Sequence, residues 1–217
     1  MQAEDQVLRK ATQEPVQLQE HQKNFLQVIK FSDCSGDPHL FHKECVENHF
    51  ASTNSLYYKC VTCQKQYGTR TGGMPPGKMS WTTDPQIQLA GYEGLNYGIS
   101  IYYDFPNGVK DGVPYSGTRR QAFLPGNEEG KEALGLLITS FERRLTFVVG
   151  TSVTTGRTNC VVWAGVHHKT NTHGGTSNFA YPDETYFARL KGELKDRGVT
   201  PDDIKQPVKL TGTITIN

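Results

Sequence analysis

The sequence predicts an α+β protein in two parts, a small Cys/His-rich module over residues 31–68 and a mixed α+β domain over 81–200, joined by a linker at 69–80. Three observations carry this. All but one of the five cysteines fall between Cys34 and Cys63. A run of breakers, Gly72, Gly73, Pro75, Pro76 and Gly77, follows that cluster. Beyond it, apolar residues recur with the two-residue period of strands in some stretches and the helical period in others.

Taken in order, residues 1–30 are rich in Gln, Glu and Lys with scattered apolar positions (Val7, Leu8, Val16, Leu18, Phe25, Leu26, Val28, Ile29) and read as a helical or flexible lead-in. The stretch 97–103 alternates, placing Ile99, Ile101 and Tyr103 on one face of a strand. Leu134, Leu137, Ile138, Phe141 and Leu145 recur at helical spacing, Asn127 is placed to cap that helix, and Glu128 and Glu129 suit the positive end of its dipole. The apolar runs 145–149 and 160–163 bracket the polar loop GTSVTTGRTN and are predicted as neighbouring strands. Asp183 is placed to cap a second helix that runs to Arg197, buries Phe187, Leu190 and Leu194, and stops at Gly198. Over 201–217, Val208, Leu210, Ile214 and Ile216 alternate with polar residues, which predicts an extra tail strand.

With 35% hydrophobic, 10% aromatic and 21% charged residues, the 217-residue chain has the make-up of a folded domain rather than a disordered one. Lys+Arg 23 against Asp+Glu 22 leaves a net charge of +1, so no global field draws it to nucleic acid or to an acidic membrane. Arg119, Arg120, Arg143 and Arg144 are local basic spots of a kind that solvated faces also produce. No apolar run reaches the roughly 18 residues that span a bilayer, and MQAEDQVLRK lacks the apolar stretch of a secretory signal. A cytoplasmic or nuclear protein is expected. In such a reducing compartment an odd count of cysteines argues against a disulfide framework.

Four residues separate Cys34 from His39, two separate His39 from His42 and His42 from Cys45, and 14 residues later come Cys60 and Cys63 with two between them. A two-residue gap lets a short turn aim both side chains at one tetrahedral ion, with bonds of about 2.0–2.3 Å. This donor density points to Zn2+. His42, Cys45 and His49, at i, i+3 and i+7, share one face if they lie on a helix.

The order of these ligands resembles the later part of a RING finger of the kind with two central histidines. The resemblance implies one complete zinc site from Cys34, His39, Cys60 and Cys63, with His42 and Cys45 as half of a second. The family's upstream pair of cysteines has no counterpart in residues 1–33, and Ser35, Gly36, Asp37 and Pro38 lengthen the usual gap before His39. The second zinc is therefore either absent or completed by borrowed donors such as His49, Asp33, Asp37 or His21.

After this module come QYGTRTGGMPPGKMSW, LAGYE, YGISIYY, RRQAFLPGNEEGKEAL, LTFVVGTSVTTGRTNCVVW, VHHKT and YPDETY. In this order they closely resemble the carboxy-terminal domain of the Deltex family of ubiquitin ligases, in which that domain directly follows a RING finger. The resemblance covers residues 34–198. It implies a RING-type E3 ubiquitin-protein ligase whose zinc module presents a ubiquitin-loaded conjugating enzyme. It also implies an ADP-ribose/NAD-binding domain that directs ubiquitin to ADP-ribose or to ADP-ribosylated targets, and a tie to Notch signalling.

Residue by residue, Glu193 matches the family's catalytic glutamate, and His167, the first of HHKT, matches a histidine of its ADP-ribose pocket. Both are expected to be catalytic. Gly150, Thr151 and Ser152 are expected in the same pocket, within a loop whose glycines, hydroxyls and Arg157 suit a phosphate-bearing ligand. Glu193 follows Leu190 by three, at the border of the apolar face, where partial burial raises a carboxylate's proton affinity. Phe179 stands where the family usually carries His or Tyr as partner of the glutamate. Phenylalanine stacks on a ring but moves no proton, so the resemblance carries ADP-ribose binding further than transfer. His173 is a nearby group able to substitute, and His168 is expected to be structural. Val61 stands where the family has a proline on the edge that meets the conjugating enzyme. An exposed helix glutamate, a core histidine and an ordinary turn would show the same residues. Two alternatives to the active ligase therefore stand: an ADP-ribose reader or scaffold with a degenerate RING, and an interaction adaptor with an empty pocket.

Overall fold

The computed structural model describes residues 11–15, 27–31, 38–53 and 57–217, and their contacts divide the chain between Thr71 and Gly72. In the first unit Ala11–Pro15 (β1), Gln27–Phe31 (β2) and His39–His42 (β3) form an antiparallel sheet in that order. Helix α1 (Lys43–Thr53) follows, and Tyr57–Lys59 (β4) pairs with Gln66–Gly68 (β5) as a hairpin. Ile29 and Phe31 are buried and alternate with the half-buried Val28 and Lys30, the period of a strand. Val46 and Phe50, four apart on α1, meet them together with Tyr58 and Tyr67, and Phe31 stacks on Tyr58 at 4.9 Å. The lead-in expected to be helical or flexible thus holds two strands, because β-branched Val28 and Ile29 with Phe31 favour a half-buried pleated surface. The remainder of that expectation lies outside the described residues.

The second unit is built from β6 (Gly77–Asp84), β7 (Gly98–Phe105), a small hairpin of β8 (Gly108–Lys110) and β9 (Val113–Tyr115), β10 (Thr118–Pro125), helix α2 (Glu128–Glu142), a hairpin of β11 (Phe147–Gly150) and β12 (Cys160–Trp163), helix α3 (Tyr186–Asp196) and β13 (Gly212–Ile216). Its main sheet runs β10-β7-β6-β13, with every neighbour antiparallel. Register places Ile101 opposite both Trp81 and Ala122, and Met79 opposite both Tyr103 and Ile214. One face is therefore apolar, whereas Lys78, Tyr102, Asp104 and Arg119 point to solvent from the other. Helix α2 packs on β10 and on α3 through Leu134, Leu137 and Phe141. Asn127 caps it as the spacing predicts, its side chain accepting from Gly130 N at 2.9 Å.

Three expectations need correction. The linker read over 69–80 is partly β6: Gly77 breaks nothing, and a Cβ there would lie 2.3 Å from the Phe105 ring, so this glycine marks a close approach. Asp183 does not cap α3. The residue before that helix is Thr185, and the Asp183 carboxylate is drawn inward to the buried Lys169 and the partly exposed Arg189. The tail strand is shorter than its alternation and belongs to the main sheet, with Gly212 to Ile216 paired along β6 from Trp81 to Gly77. Val208 and Leu210 pack on the core outside it, and the Trp81 indole donates to Lys209 O at 2.7 Å. Among the described residues no helix is long and apolar enough to cross a membrane.

Candidate functional site

In the first unit β3 begins at His39, and the turn between β4 and β5 carries Cys60 and Cys63. That turn closes through Gln64 N to Cys60 O and Cys60 N to Lys65 O, both 2.8 Å, with Gln64 at φ +62°. It brings the ligand atoms of His39, Cys60 and Cys63 within 4.8 Å of one another, and His39 Nδ1 lies 3.3 Å from Cys60 Sγ. Two thiols and an imidazole at such separations fit a tetrahedral zinc ion. Cys34, the expected fourth donor, lies outside the described residues, as do Asp33, Asp37 and His21. His42 and Cys45 form a looser exposed pair, with Nδ1 3.9 Å from Sγ. His42 ends β3 rather than lying on α1, so the helix face expected for His42, Cys45 and His49 holds only for the last two. The His49 ring packs edge-on to Tyr58 at 5.4 Å. Leu40 and Val61 are exposed on this unit.

In the second unit β12 leads from Cys160, opposite Gly150, to Trp163, opposite Phe147. The chain then passes Gly165, whose φ of +76° and whose absent Cβ, 2.7 Å from the Arg197 guanidinium, both call for glycine. Arg197, at the end of α3, donates to Ala164 O at 2.6 Å and to Glu193 O at 2.7 Å, fastening this loop to the helix. The result joins His167 to Glu193. His167 N donates to Glu193 Oε2 at 2.8 Å, and His167 Nδ1 hydrogen-bonds Oε1. A carboxylate only accepts, so Nδ1 carries the proton and Nε2 is the ring position left to a ligand. The His167 side chain is 58% exposed against 21% for Glu193. An imidazole held this way can take a proton at Nε2 while the carboxylate stabilises the cation that forms.

His168 points the other way, as expected of a structural histidine. It is buried, stacks on Trp163 at 4.0 Å, donates from Nδ1 to Val166 O at 2.9 Å, and accepts at Nε2 from the Tyr103 hydroxyl at 2.9 Å. Burial pushes its pKa down from 6.5 to about 4, helped by the neighbouring His167 and opposed by the Val166 hydrogen bond. The unfolded chain therefore takes up a proton that the fold refuses. The stability due to neutral His168 is complete above pH 6.5 and is lost as pH falls towards 4, by about 3 kcal/mol. Urea unfolding at pH 7 and pH 4.5 will show this slope, and His168→Gln will flatten it. An equal slope in the variant would assign the acid sensitivity elsewhere.

Phe179 is fixed beside the same loop, its carbonyl accepting from Thr170 N at 2.9 Å and Asn171 N at 3.3 Å. Its backbone is left-handed, φ +52°, and its side chain is 62% exposed, uncommon for a bulky residue. The expected pocket loop of Gly150, Thr151 and Ser152 closes on itself through Ser152 N to Arg157 O and Gly156 N to Ser152 O, both 2.8 Å. Arg157 reaches Ser116 Oγ at 2.7 Å. No hydrogen bond or ring contact among the described residues joins this loop to His167 or Glu193, and the same holds for His173, which bonds Thr172 Oγ1 at 2.9 Å. The basic spots are largely engaged: Arg119 pairs with Asp104 at 3.2 Å, Arg143 bonds Gly198 O and Asp203, and Arg144 bonds Asn217 O. A separate cleft, lined by Gly77, Lys78, Asp104, Phe105, Asn107 and Thr118 among others, contains none of the expected site residues.

Lys169, Tyr186 and Arg197 were not singled out from the sequence, although HHKT and YPDETY contain two of them. Their roles depend on contacts across the fold. Burial would raise the Asp183 carboxyl, but hydrogen bonds from Lys169, Thr185 and Arg189 hold it well below the usual carboxylate range.

The sequence profile of the Deltex C-terminal domain matches residues 71–199. The chain is 41% identical over 174 residues to the probable E3 ubiquitin-protein ligase DTX3 of Homo sapiens, an alignment covering 76% of this chain and 48% of that protein. It is 38% identical over 173 residues to the E3 ubiquitin-protein ligase DTX1 of Homo sapiens, covering 75% and 27%. It is 36% identical over 186 residues to the E3 ubiquitin-protein ligase DTX4 of Mus musculus, covering 81% and 29%. The chain thus spans about half the length of DTX3 and less of the others. With the profile covering more than half of its length and the motifs in family order, the chain belongs to the Deltex family.

Proposed function

We propose that the chain acts as a RING-type E3 ubiquitin-protein ligase of the Deltex type, with a second unit that binds ADP-ribose or NAD and directs ubiquitin to a hydroxyl of that ligand or of an ADP-ribosylated target. The observation that carries this reading is the His167–Glu193 pair, seated in the part of the chain that matches the family profile. In the first unit His39, Cys60 and Cys63, with Cys34, hold Zn2+, which supplies a cross-link in place of a large core. Among the described residues, Leu40 and Val61 are the large exposed apolar side chains this unit offers to a ubiquitin-conjugating enzyme. The ligase forms no covalent intermediate of its own and acts by orientation.

At the second unit a ribose hydroxyl gives its proton to His167 Nε2 as its oxygen attacks the thioester carbonyl. The carbon–sulfur bond breaks, an ester bond forms, and the proton passes to the departing thiolate. Glu193 holds the ring and balances the imidazolium. The resemblance makes Glu193 a catalytic residue and leaves open whether it or His167 takes the proton. Because both its oxygens are occupied by His167, Nε2 is the better acceptor. Phe179 offers a ring for stacking.

The test is an in vitro ubiquitination assay with a conjugating enzyme, with and without NAD or ADP-ribose, beside calorimetric ADP-ribose binding. Ubiquitin chains and ubiquitin-modified ADP-ribose are expected, and His167→Ala should weaken binding. Measurable ADP-ribose binding with neither product would sink the ligase. It would favour the reader, the reading that an aromatic rather than a proton-carrying residue at Phe179 supports.

A further inference from the structure

The second unit carries buried charges that the proposed chemistry leaves without a task. The Lys169 side chain is 4% exposed and that of Asp183 is 2%. Lys169 Nζ donates to Asp183 Oδ2 at 2.7 Å and to Ala180 O at 2.8 Å, and it lies 5.8 Å and 5.2 Å from the Tyr181 and Tyr186 ring centroids. Asp183 Oδ2 also accepts from the partly exposed Arg189 at 2.7 Å, and Oδ1 accepts from Thr185 N at 3.1 Å and Thr185 Oγ1 at 2.8 Å. Taking both charges out of water is costly, and apolar side chains of similar volume often stabilise a fold as well. Stability alone does not call for the pair.

What the pair does is bring three segments to one point. Lys169 lies two residues after His167. Ala180, whose carbonyl it binds, follows Phe179. Arg189 lies on α3 one turn before Glu193, and Tyr186, whose ring flanks the ammonium, donates its hydroxyl to His167 O at 3.4 Å. His167, Phe179 and Glu193 are thus carried by segments that meet at a single ammonium–carboxylate contact. Directional hydrogen bonds fix such a meeting where apolar contacts would let it slide.

We propose that Lys169 and Asp183, linked through Arg189 to α3, are positioning residues that set the His167–Glu193 geometry and hold the Phe179 segment against the chain that follows His168. This rests on the ADP-ribose reading only for its consequence on the ligand, since the geometry itself can be read without one. The full chain carrying Lys169→Met and Asp183→Leu is compared with wild type by thermal melting, by NMR titration of the His167 imidazole, and by calorimetry with ADP-ribose. His167 faces Glu193 across its hydrogen bond and His168 along the chain, and both are unaltered. The variant is expected to melt close to wild type, to shift the His167 titration by about half a pH unit or more, and to lose affinity about tenfold or more. A folded variant with wild-type titration and affinity overturns the proposal. If the double variant does not fold, Arg189→Gln is read in the same way: a shifted His167 titration supports the proposal, and an unchanged one overturns it. If wild type binds no ADP-ribose, the binding reading fails, while the titration still decides the positioning role.

Discussion

Cys60→Ser is expected to abolish zinc binding by the first unit and to unfold it, while the second unit keeps its own melting transition. Cys60 is fully buried, and it is at once a core residue beside Tyr58 and Phe31 and a member of the His39–Cys60–Cys63 group. Among the described residues the core around it is a handful of aromatic and aliphatic side chains, the size at which small folds depend on a metal or disulfide. Structural zinc sites contribute about 10–16 kcal/mol, which counts as folding free energy wherever the metal-free form is unfolded. The second unit has a separate core, from Met74 to Val199, that includes none of these residues. Calorimetry should show one transition lost and one retained, with zinc content falling in parallel, and a chelator should reproduce the change in wild type. Retained zinc and two unchanged transitions would remove Cys60 from the metal site.

Glu193→Gln should slow transfer of ubiquitin to ADP-ribose by about 10²–10⁴-fold, the contribution of a well-placed proton acceptor. The two oxygens of Glu193 accept from two donors of one residue, His167 N and Nδ1. A glutamine has one acceptor and one donor end. With NH2 towards Nδ1 the imidazole proton moves to Nε2, the position that must accept. With NH2 towards the backbone N–H, donor meets donor. The first orientation removes the acceptor, and both remove the charge that balances the imidazolium, while the site keeps its shape and its ring for stacking. ADP-ribose affinity should therefore change much less than the single-turnover rate of transfer. Transfer at the wild-type rate would exclude a role for Glu193 in moving the proton.

Local spacing makes α2 with its Asn127 cap and the inward face of β7 legible in the sequence, because those signals lie within one or two turns of chain. The failures share another cause. Gly77 carries the same letter whether it breaks a segment or admits the Phe105 ring to a strand, and only the neighbouring strand decides. Asp183 three residues before a helix has the look of a cap. Its partner Lys169 lies 14 residues upstream in another segment, and the ion pair outweighs the cap. His167 and Glu193, 26 residues apart, were paired through family resemblance, and what spacing could not supply is which of their atoms meet. In the first unit the two-residue gap marked Cys60 and Cys63 as a pair and the RING resemblance grouped His39 with them, while β1 was hidden in a Gln-rich stretch and the β-branched residues of β2 were too few to stand out from it.

The strand β13 adds a constraint in time. It covers β6, and the Trp81 indole beneath it bonds a carbonyl 128 residues further along the chain. The sheet therefore cannot be completed from its neighbouring strands in order of synthesis. β6 and β7 can pair early, but the other edge of β6 stays open until everything between has been made and folded out of the way. Long-range closure of this kind slows folding, and an open strand edge is the surface on which unfinished chains associate. The last strand thus works as a clasp whose late arrival sets how long the nascent domain is exposed to other chains.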